Sequence, residues 1–556
     1  MKNILKYLSV AVLLVFSSCD LTELDYLDSP NGVSPENAET QFIFFAAELD
    51  LEDFFNTMTF NTMRPVRMLP MTGGNIYNNA FSSTTFDFAW RKAYADLLPD
   101  LDAIIASAEK EGSEVPIYAG AAKVMKSYVL TTLVDVFGNV PYSEAGQGVV
   151  NKSPKADNSQ DVYNVALALL DDAIKDLSGP QVEIKAEQDL FYEGKPEKWL
   201  ALANTLKLRW YVNTRLVADH TSDINALVNN VIQDKDGDFQ FNYTNNLRNV
   251  MNGDGGDSRH PFYINQYESG SGVYQSNYYM WSLAEEKGIV DPRLRYYFFR
   301  QDAHPEEADA FTLDCNTQPR PIHYTGPYPF CAVYDGFGYW GRDHGDNAGI
   351  PPDGDRRTVF GLYPGGGKFD SDEGLAGKVS VKNGGKDGAA GEGIAPIMLS
   401  SFTKFMLAEA ALTMGTTGDP RAYLEEGVRQ SIEKVMSFGE KDAGADVNLF
   451  PSNDDVEAYV AKVLELYDNA GSTNDKLDVI LKEYHIALWG NGIEAYNFYR
   501  RTGLPSGMQP TREPSSGDFP RLMFYPSSYV NLNENASQKA ITEQVFWDNN
   551  PAGFIN

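Results

Sequence analysis

The sequence predicts a mainly α-helical fold, built as a tetratricopeptide-like array of helical hairpins with a loop-rich ligand-binding subdomain. Apolar residues recur at spacings of three and four in four early segments, 84–110, 115–136, 159–177 and 196–216. The same period returns in four later segments, 396–416, 419–437, 453–467 and 474–501. Helical segments at intervals of 35–45 residues indicate stacked antiparallel pairs.

The chain between about 236 and 395 differs in character from the helical segments on either side. Gly, Asp, Asn, Pro and Tyr crowd together there, as in the stretches 252–257 and 365–367, and helical periodicity is sparse. Loops carried on a rigid scaffold are where ligand contacts usually lie. We therefore expect this part of the chain to carry the ligand-binding subdomain.

The first 19 residues have the order of a bacterial lipoprotein leader. Lys2 and Lys6 precede an apolar run, residues 7–16, that is too short to span a bilayer. Ser17-Ser18-Cys19 follows, which is a lipobox arrangement, so we expect acylation of the Cys19 thiol and cleavage before it. The alternative is a plain secretory leader with an incidental cysteine. Several acyl chains would tie the mature protein to a membrane.

The leader and the helical pattern predict the organisation of the whole chain. Ser34-Pro35 is typical of a helix start, with a capping serine and proline in the first turn. We expect a leader at 1–18, a lipidated acidic tether at 19–34 and a single body at 35–556. Within that body we expect the helical array at about 35–235 and 396–501. We expect a loop-rich insertion at about 236–395 and a C-terminal loop region at 502–556.

Charge and composition exclude some classes of partner. The formal net charge is −31, and it becomes −33 when Lys2 and Lys6 leave with the leader. Such an acidic chain is not expected to bind nucleic acid or anionic lipid. The 7 Trp, 31 Tyr and 31 Phe suit stacking on sugars or gripping peptides, although many aromatics of any chain pack in its core.

Two cysteines remain when Cys19 is set aside. Cys315 and Cys331 lie 16 residues apart in a segment rich in Pro, Gly and aromatic residues. An exported protein can form a disulfide there, which would contribute roughly 3 kcal/mol by closing the loop. Two free buried thiols are the alternative.

Signatures of enzymes and cofactor sites are largely missing. The segment 365–368 has the wrong glycine spacing for a phosphate loop, and 234–245 lacks the final Glu of a calcium loop. None of the six histidines is paired at ligand spacing, and no nucleophile elbow is present. Carboxylate pairs for glycoside hydrolysis stay possible among 77 acidic residues. We expect no catalytic residues and no cofactor.

One acidic constellation has two interpretations. Asp343, Asp346, Asp353 and Asp355 lie among Gly and Pro turns and offer the hard oxygen ligands that a cation prefers. Alternatively, Arg342 pairs with the carboxylates and pins a loop. We favour pinning, and therefore expect no metal site.

Four ordered blocks of the sequence resemble the SusD/RagB family of nutrient-binding lipoproteins. They are residues 118–144, 198–209, 396–411, and 494–505 together with 519–526 and 531–533. The lipobox and the acidic tether fit the same family. The resemblance implies a body of four tetratricopeptide-like hairpins whose loop-rich remainder carries the ligand face.

The resemblance also implies a location and a partner. Such proteins are anchored in the outer membrane through lipid, face the cell exterior and lie over a TonB-dependent (SusC-like) transporter, to which they pass nutrients without catalysis. The family includes oligosaccharide and oligopeptide binders, and we lean towards oligosaccharide. A lipid-anchored glycan-degrading enzyme is the remaining alternative.

Ligand residues are chosen by chemistry, because no family motif transfers them. Tyr and Trp faces pack on the C–H surfaces of sugars, and Asn side chains hydrogen-bond to hydroxyl groups or to peptide backbone. The candidates are the aromatic and amide residues of the loops, namely Asn75, Tyr77, Asn78, Tyr274, Tyr279, Trp281, Tyr339 and Trp340.

Overall fold

The structure of the 556-residue chain is a computed structural model. The structure describes residues 35–72, 76–108, 116–181, 184–246, 257–268, 273–303, 320–324, 337–346, 356–372, 379 and 386–555. Several predicted features lie outside these residues: the leader 1–18, Cys19 and the tether, Asn75, Cys315, Cys331, Asp353 and Asp355.

The first half of the body is a set of packed helices, as the periodicity predicts. The helices are α1 (Pro35–Thr62), α2 (Asp87–Arg91), α3 (Leu98–Ala108), α4 (Pro116–Phe137), α5 (Ser159–Ser178), α6 (Pro196–Thr214) and α7 (Thr221–Leu227). A π-helical turn, Lys92–Leu97, joins α2 to α3, so 87–108 is one helical stretch. The helices predicted over 84–110, 115–136, 159–177 and 196–216 are thereby confirmed.

Helix α4 lies at the centre of this half and is buried on all sides. It packs against α3, α5 and α6. A Cβ at Gly120 would lie 2.6 Å from Cγ of Leu177, so the absence of a side chain lets α5 approach α4 closely. A helix surrounded by other helices needs apolar residues around its whole circumference, which is the composition that α4 has.

The middle of the chain holds short elements. They are β1 (Phe239–Asn242), α8 (Pro261–Tyr263), α9 (Asn277–Ala284), α10 (Leu294–Tyr297), β2 (Phe298–Arg300), β3 (Thr358–Phe360) and β4 (Ile394–Met398). Antiparallel pairing joins β1 to β4 and β2 to β3. The sparse helical pattern of this region is therefore reflected in short helices and two small sheets.

Helices return in the last third of the chain. They are α11 (Ser400–Met414), α12 (Pro420–Met436), α13 (Asn453–Asn469), α14 (Thr473–Ala487), α15 (Gly492–Thr502) and α16 (Ser527–Leu532). Helix α11 packs against α12 and α14, and α13 against both α12 and α14. The mainly α-helical class predicted from the sequence is confirmed.

Two predicted boundaries in this part are wrong. The helix predicted over 396–416 begins only at Ser400, because the residues before it pair with β1 as strand β4. The helix predicted over 474–501 is broken into α14 and α15. Asn491 caps the second helix by accepting hydrogen bonds from the backbone of Ile493 and Glu494, and Gly490 before it has a left-handed φ of +98°.

A single buried carboxylate connects the helices of both halves. Asp135 of α4 is fully buried, and its Oδ2 accepts hydrogen bonds of 2.8 Å from Arg209 of α6 and from Asn497 of α15. Its Oδ1 accepts from Tyr163 of α5 at 2.9 Å and from Trp547 of the C-terminal segment at 3.0 Å. Four donors on four parts of the chain thus meet at one side chain.

A second buried ion cluster fixes the later helices. Arg293 is fully buried and pairs with Asp291 at 2.7 Å and with Glu483 of α14 at 3.0 Å. Its guanidinium also donates to Ser431 of α12, and Tyr459 of α13 donates to Glu483. The turn before α10 is therefore bound to three helices through one cation.

Among the described helices, none is long and apolar enough to cross a membrane.

We expect Lys539→Met to stabilise the protein at neutral pH. The Lys539 ammonium is buried over the ring of Tyr525, and among the described residues it has no hydrogen-bond partner. Burial lowers its pKa from 10.5 to about 7. The unfolded chain then binds the proton more tightly than the folded one, so wild-type stability falls as pH falls from about 10 to about 7. The gain should be about 2–4 kcal/mol at pH 7.

Denaturant titrations at pH 7 and pH 10 measure this difference. The advantage of Lys539→Met should shrink at the higher pH, whereas Lys195→Met, at an exposed lysine, should change stability little at either pH. An advantage of equal size at both pH values would contradict the buried-charge explanation.

Candidate functional site

A cavity of about 490 Å³ opens where the chain after α1 meets the C-terminal loops. Its walls come from four parts of the sequence, at Tyr77, at His323, at 510–521 and at 542–555. Hydroxyl and amide side chains share the lining with aromatic and proline rings, chiefly Thr511, Ser516, Thr542, Gln544, Phe519, Pro510 and Pro514. The cavity has the size and the mixed lining of a small-molecule site.

Backbone carbonyl groups hold the wall at 510–516 in place. The backbone N–H of Asn78 donates to the carbonyl of Ser516 at 2.9 Å. His323 Nε2 donates to the carbonyl of Thr511 at 2.8 Å, and the Tyr324 hydroxyl donates to that of Pro510 at 3.1 Å. Three hydrogen bonds from two distant segments therefore fix this loop against the body.

The floor of the cavity rests on a buried polar chain. The Tyr77 hydroxyl lies 3.1 Å from Nε2 of His344, whose backbone N–H donates to Oε1 of Gln509. Gln509 and Asn277 both donate to one carboxylate oxygen of Asp343, at 3.1 and 3.0 Å. Burial raises the pKa of Asp343 to about 6. Tyr77 is thus oriented by its hydroxyl, with its ring against the cavity.

One carboxylate of the acidic constellation, that of Asp346, is paired with two arginines. Arg342 lies 3.2 Å from a carboxylate oxygen of Asp346, and Arg512 lies 3.1 Å from the same oxygen. The backbone of Arg512 also donates to the carbonyl of His344. The interpretation of Arg342 as a loop-pinning residue is therefore the one that the contacts support. Among the described residues, no three His, Cys, Asp or Glu side chains cluster around a possible metal position.

Three predicted aromatic residues are buried and are not part of the cavity lining. Tyr274 is buried between Arg342 and Arg357, each guanidinium 5.0 Å from the ring centre. Tyr339 and Trp340 are buried too, and the Trp340 backbone donates to the Thr358 hydroxyl at 2.8 Å. None of the three lines the cavity.

The remaining predicted residues divide between the cavity and the core. Asn78 is exposed and lies against Gly517 of the cavity wall. Tyr279 is buried in α9, where its hydroxyl donates to the carbonyls of His485 and Ile486. Trp281, on the same helix, is half-buried and does not line the cavity. Five of the six aromatic candidates are buried, and Trp281 is the exception. The ligand roles of the eight residues stay predictions.

Sequence reasoning missed the C-terminal walls of the cavity. The segment 510–518 contains two prolines, two serines and a glycine, a composition typical of a turn-rich loop. That composition was the available signal, but it is shared by many loops. What distinguishes this loop is its contact with Asn78 and His323, which are remote in sequence.

The cavity has an uneven charge distribution. Arg521 is buried and forms an ion pair with Asp548, with its Nε 2.8 Å from Oδ2. The same guanidinium donates to the carbonyl of Pro551 at 2.9 Å. Asp518 is exposed on the wall, and no ion pair joins it to another described residue. The arginine charge is thus neutralised within the protein, while the aspartate charge faces the cavity.

Comparison with known families gives two matches that together span most of the body. Residues 40–311 match the family described as "SusD-like_2: Starch-binding associating with outer membrane". Residues 390–549 match "SusD-like: Susd and RagB outer membrane lipoprotein". Curated proteins give no significant sequence match.

Solved structures with similar folds cover nearly the whole chain. A SusD/RagB family protein from Bacteroides thetaiotaomicron aligns with a TM-score of 0.67 at 19% identity, over 92% of this chain and 99% of its own. A chitin-binding protein aligns with a TM-score of 0.64 at 22% identity, also over 92% of this chain and 99% of its own. A chitin-binding SusD homologue from Flavobacterium johnsoniae aligns with a TM-score of 0.63 at 17% identity, again over 92% of this chain and 99% of its own. Identities this low show the fold alone.

We expect Gly517→Ala to loosen the cavity wall. Gly517 has a φ of +93°, and a Cβ there would lie 2.6 Å from Cγ of Asn78. The substitution therefore combines backbone strain with a clash and should cost about 1–3 kcal/mol. Thermal unfolding and hydrogen exchange of 510–521 measure it.

Gly507→Ala is the matched control for the clash. Gly507 also has a positive φ, +70°, but a Cβ there meets no atom within 4 Å. The loss should be smaller, and exchange at 510–521 should stay as in the wild type. Equal effects of the two substitutions would show that the contact with Asn78 does not hold the wall.

Proposed function

Because the chain belongs to the SusD/RagB family of outer-membrane nutrient-binding lipoproteins, we propose that it captures oligosaccharides and passes them to a TonB-dependent transporter. The observation that carries the proposal is the cavity between Tyr77 and the C-terminal loops. Two similar structures, at 22% and 17% identity, are chitin-binding proteins, which favours a saccharide ligand.

The lining of the cavity suits the hydroxyl groups of sugars. Ser516, Thr511 and Thr542 offer hydroxyl groups, which both donate and accept hydrogen bonds. The rings of Tyr77 and Phe519 lie in T-shaped contact, 5.7 Å apart, beneath these groups. A rim with several hydroxyl groups above an aromatic base fits a chain of pyranose rings, which have polar edges and apolar faces.

The proposed handover to a transporter follows from the openness of the site. An open cavity leaves one side of a bound sugar in water, and a flexible oligosaccharide loses conformational freedom on docking, so isolated affinity should be low. A transporter closing over the cavity would supply the missing contacts. We infer that capture is weak in the free protein and tight in the complex.

The anchor belongs to the same proposal. Acylation at Cys19 would place the body at the exterior face of the outer membrane, tethered by residues 20–34. Binding without catalysis agrees with the contacts of two nearby carboxylates. Asp343 accepts a hydrogen bond from Gln509, and Asp346 forms an ion pair with Arg512. We propose that the ligand leaves the protein chemically unchanged.

Calorimetry of the mature protein tests capture. We expect heat with a pool of neutral and amino oligosaccharides and none with a matched pool of oligopeptides, with tighter binding in the transporter complex. Ala552→Trp should abolish the heat by filling the cavity, because Ala552 lines it and is exposed. Ala186→Trp, at an exposed residue of a remote turn, is the control. Heat with peptides alone, or release of shortened sugars, would refute the proposal.

A second experiment tests the anchor. Cys19→Ala should leave the leader uncleaved by the lipoprotein peptidase and move the protein out of the outer-membrane fraction, because the acylated thiol is lost. Fractionation and metabolic labelling with a fatty acid measure this. Membrane retention and labelling as in the wild type would show that another residue carries the anchor.

A further inference from the structure

Among the described lining residues of the cavity, Asp518 carries a negative charge that no ion pair neutralises. Three lining residues have ionisable side chains other than tyrosine: His323, Asp518 and Arg521. The Arg521 guanidinium is committed to Asp548 and to the carbonyl of Pro551, and its side chain is only 6% exposed. An anionic ligand would therefore have to compete with the buried carboxylate of Asp548 for that cation, at a large cost in desolvation.

Asp518 is held by its neighbours on both sides. Before it, the carbonyl of Ser516 accepts the backbone N–H of Asn78 at 2.9 Å, and Gly517 packs against the Asn78 side chain. After it, the ring of Phe519 is buried against Tyr77. An exposed carboxylate on a fixed backbone loses little conformational freedom when it meets a ligand, which is the condition for a productive charge contact.

The surroundings strengthen the effect of this carboxylate. The protein has a net charge of −31, and clefts lined by charge of one sign focus the field on a ligand of the opposite sign. The ring of His323 on the same wall is fixed by the hydrogen bond that its Nε2 donates to the carbonyl of Thr511. The wall thus offers hydroxyl groups, an amide and one fixed negative charge.

We infer that the cavity selects amino-sugar oligosaccharides with free amines, and that Asp518 determines this selectivity by pairing with a sugar ammonium group. The inference rests on the proposed function and adds a ligand class to it. It ranks ligands at this site: oligosaccharides of glucosamine bind most tightly, N-acetylated oligosaccharides of the same length less tightly, and oligosaccharides of uronic acids least.

Calorimetry with three tetrasaccharides tests the ranking. The probes are the tetramers of glucosamine, N-acetylglucosamine and galacturonic acid, at a mildly acidic pH where the sugar amines are protonated. Asp518→Asn should weaken binding of the glucosamine tetramer about three- to fivefold, the usual size of an accessible ion pair, and leave the N-acetylated tetramer unchanged. Added salt should weaken the wild type towards the variant.

Glu187→Gln is the matched control for net charge. Glu187 is exposed on a remote turn, so its loss removes one negative charge without touching the cavity. Equal affinity for the glucosamine and N-acetylglucosamine tetramers, or a similar loss in both Asp518→Asn and Glu187→Gln, would overturn the selectivity while leaving saccharide capture intact. Failure of all three tetramers to bind, alone and in the transporter complex, would refute the capture of oligosaccharides together with the selectivity.

Discussion

The carboxylate of Asp135 is the interaction on which the assembly of the body depends. Its two oxygens take hydrogen bonds from Tyr163, Arg209, Asn497 and Trp547, so α4, α5, α6, α15 and the C-terminal segment must all be present at one point. A buried carboxylate that lacks its donors costs several kcal/mol. The hairpins of the first half and the chain beyond α15 are therefore stable only in one mutual arrangement, which apolar packing alone would not specify.

The cavity inherits its position from that arrangement. Trp547 is fixed by Asp135, and the next residue, Asp548, pairs with Arg521 on the cavity wall. The 542–555 wall is thereby connected to the helical core through two consecutive side chains. The opposite wall, 510–516, is held separately by Asn78 and His323. A rigid helical core with loops fastened at several points gives a preformed site, which lowers the entropic cost of capture.

Local signals account for most of what the sequence predicts correctly. Helices such as 116–137 and 159–178 have a strong apolar period, which depends only on neighbouring residues. Strand β4 was misassigned because its conformation is set by pairing with β1, more than 150 residues earlier. Tyr274 and Tyr339 illustrate another limit, since aromatic composition does not distinguish a ring that stacks against arginine in the interior from one that faces a ligand. The cavity itself escaped prediction because its walls meet only in three dimensions.

The hydrogen bonds that fasten the 510–516 loop have a consequence for the evolution of this site. Their acceptors are the carbonyls of Pro510, Thr511 and Ser516, groups that every amino acid carries. Side chains along the loop can therefore be exchanged without removing the acceptors that anchor it. Ligand preference can therefore change during evolution without loss of the fold that holds the loop. A library randomised at the exposed positions 514, 515 and 518 would explore new ligands from a folded starting point.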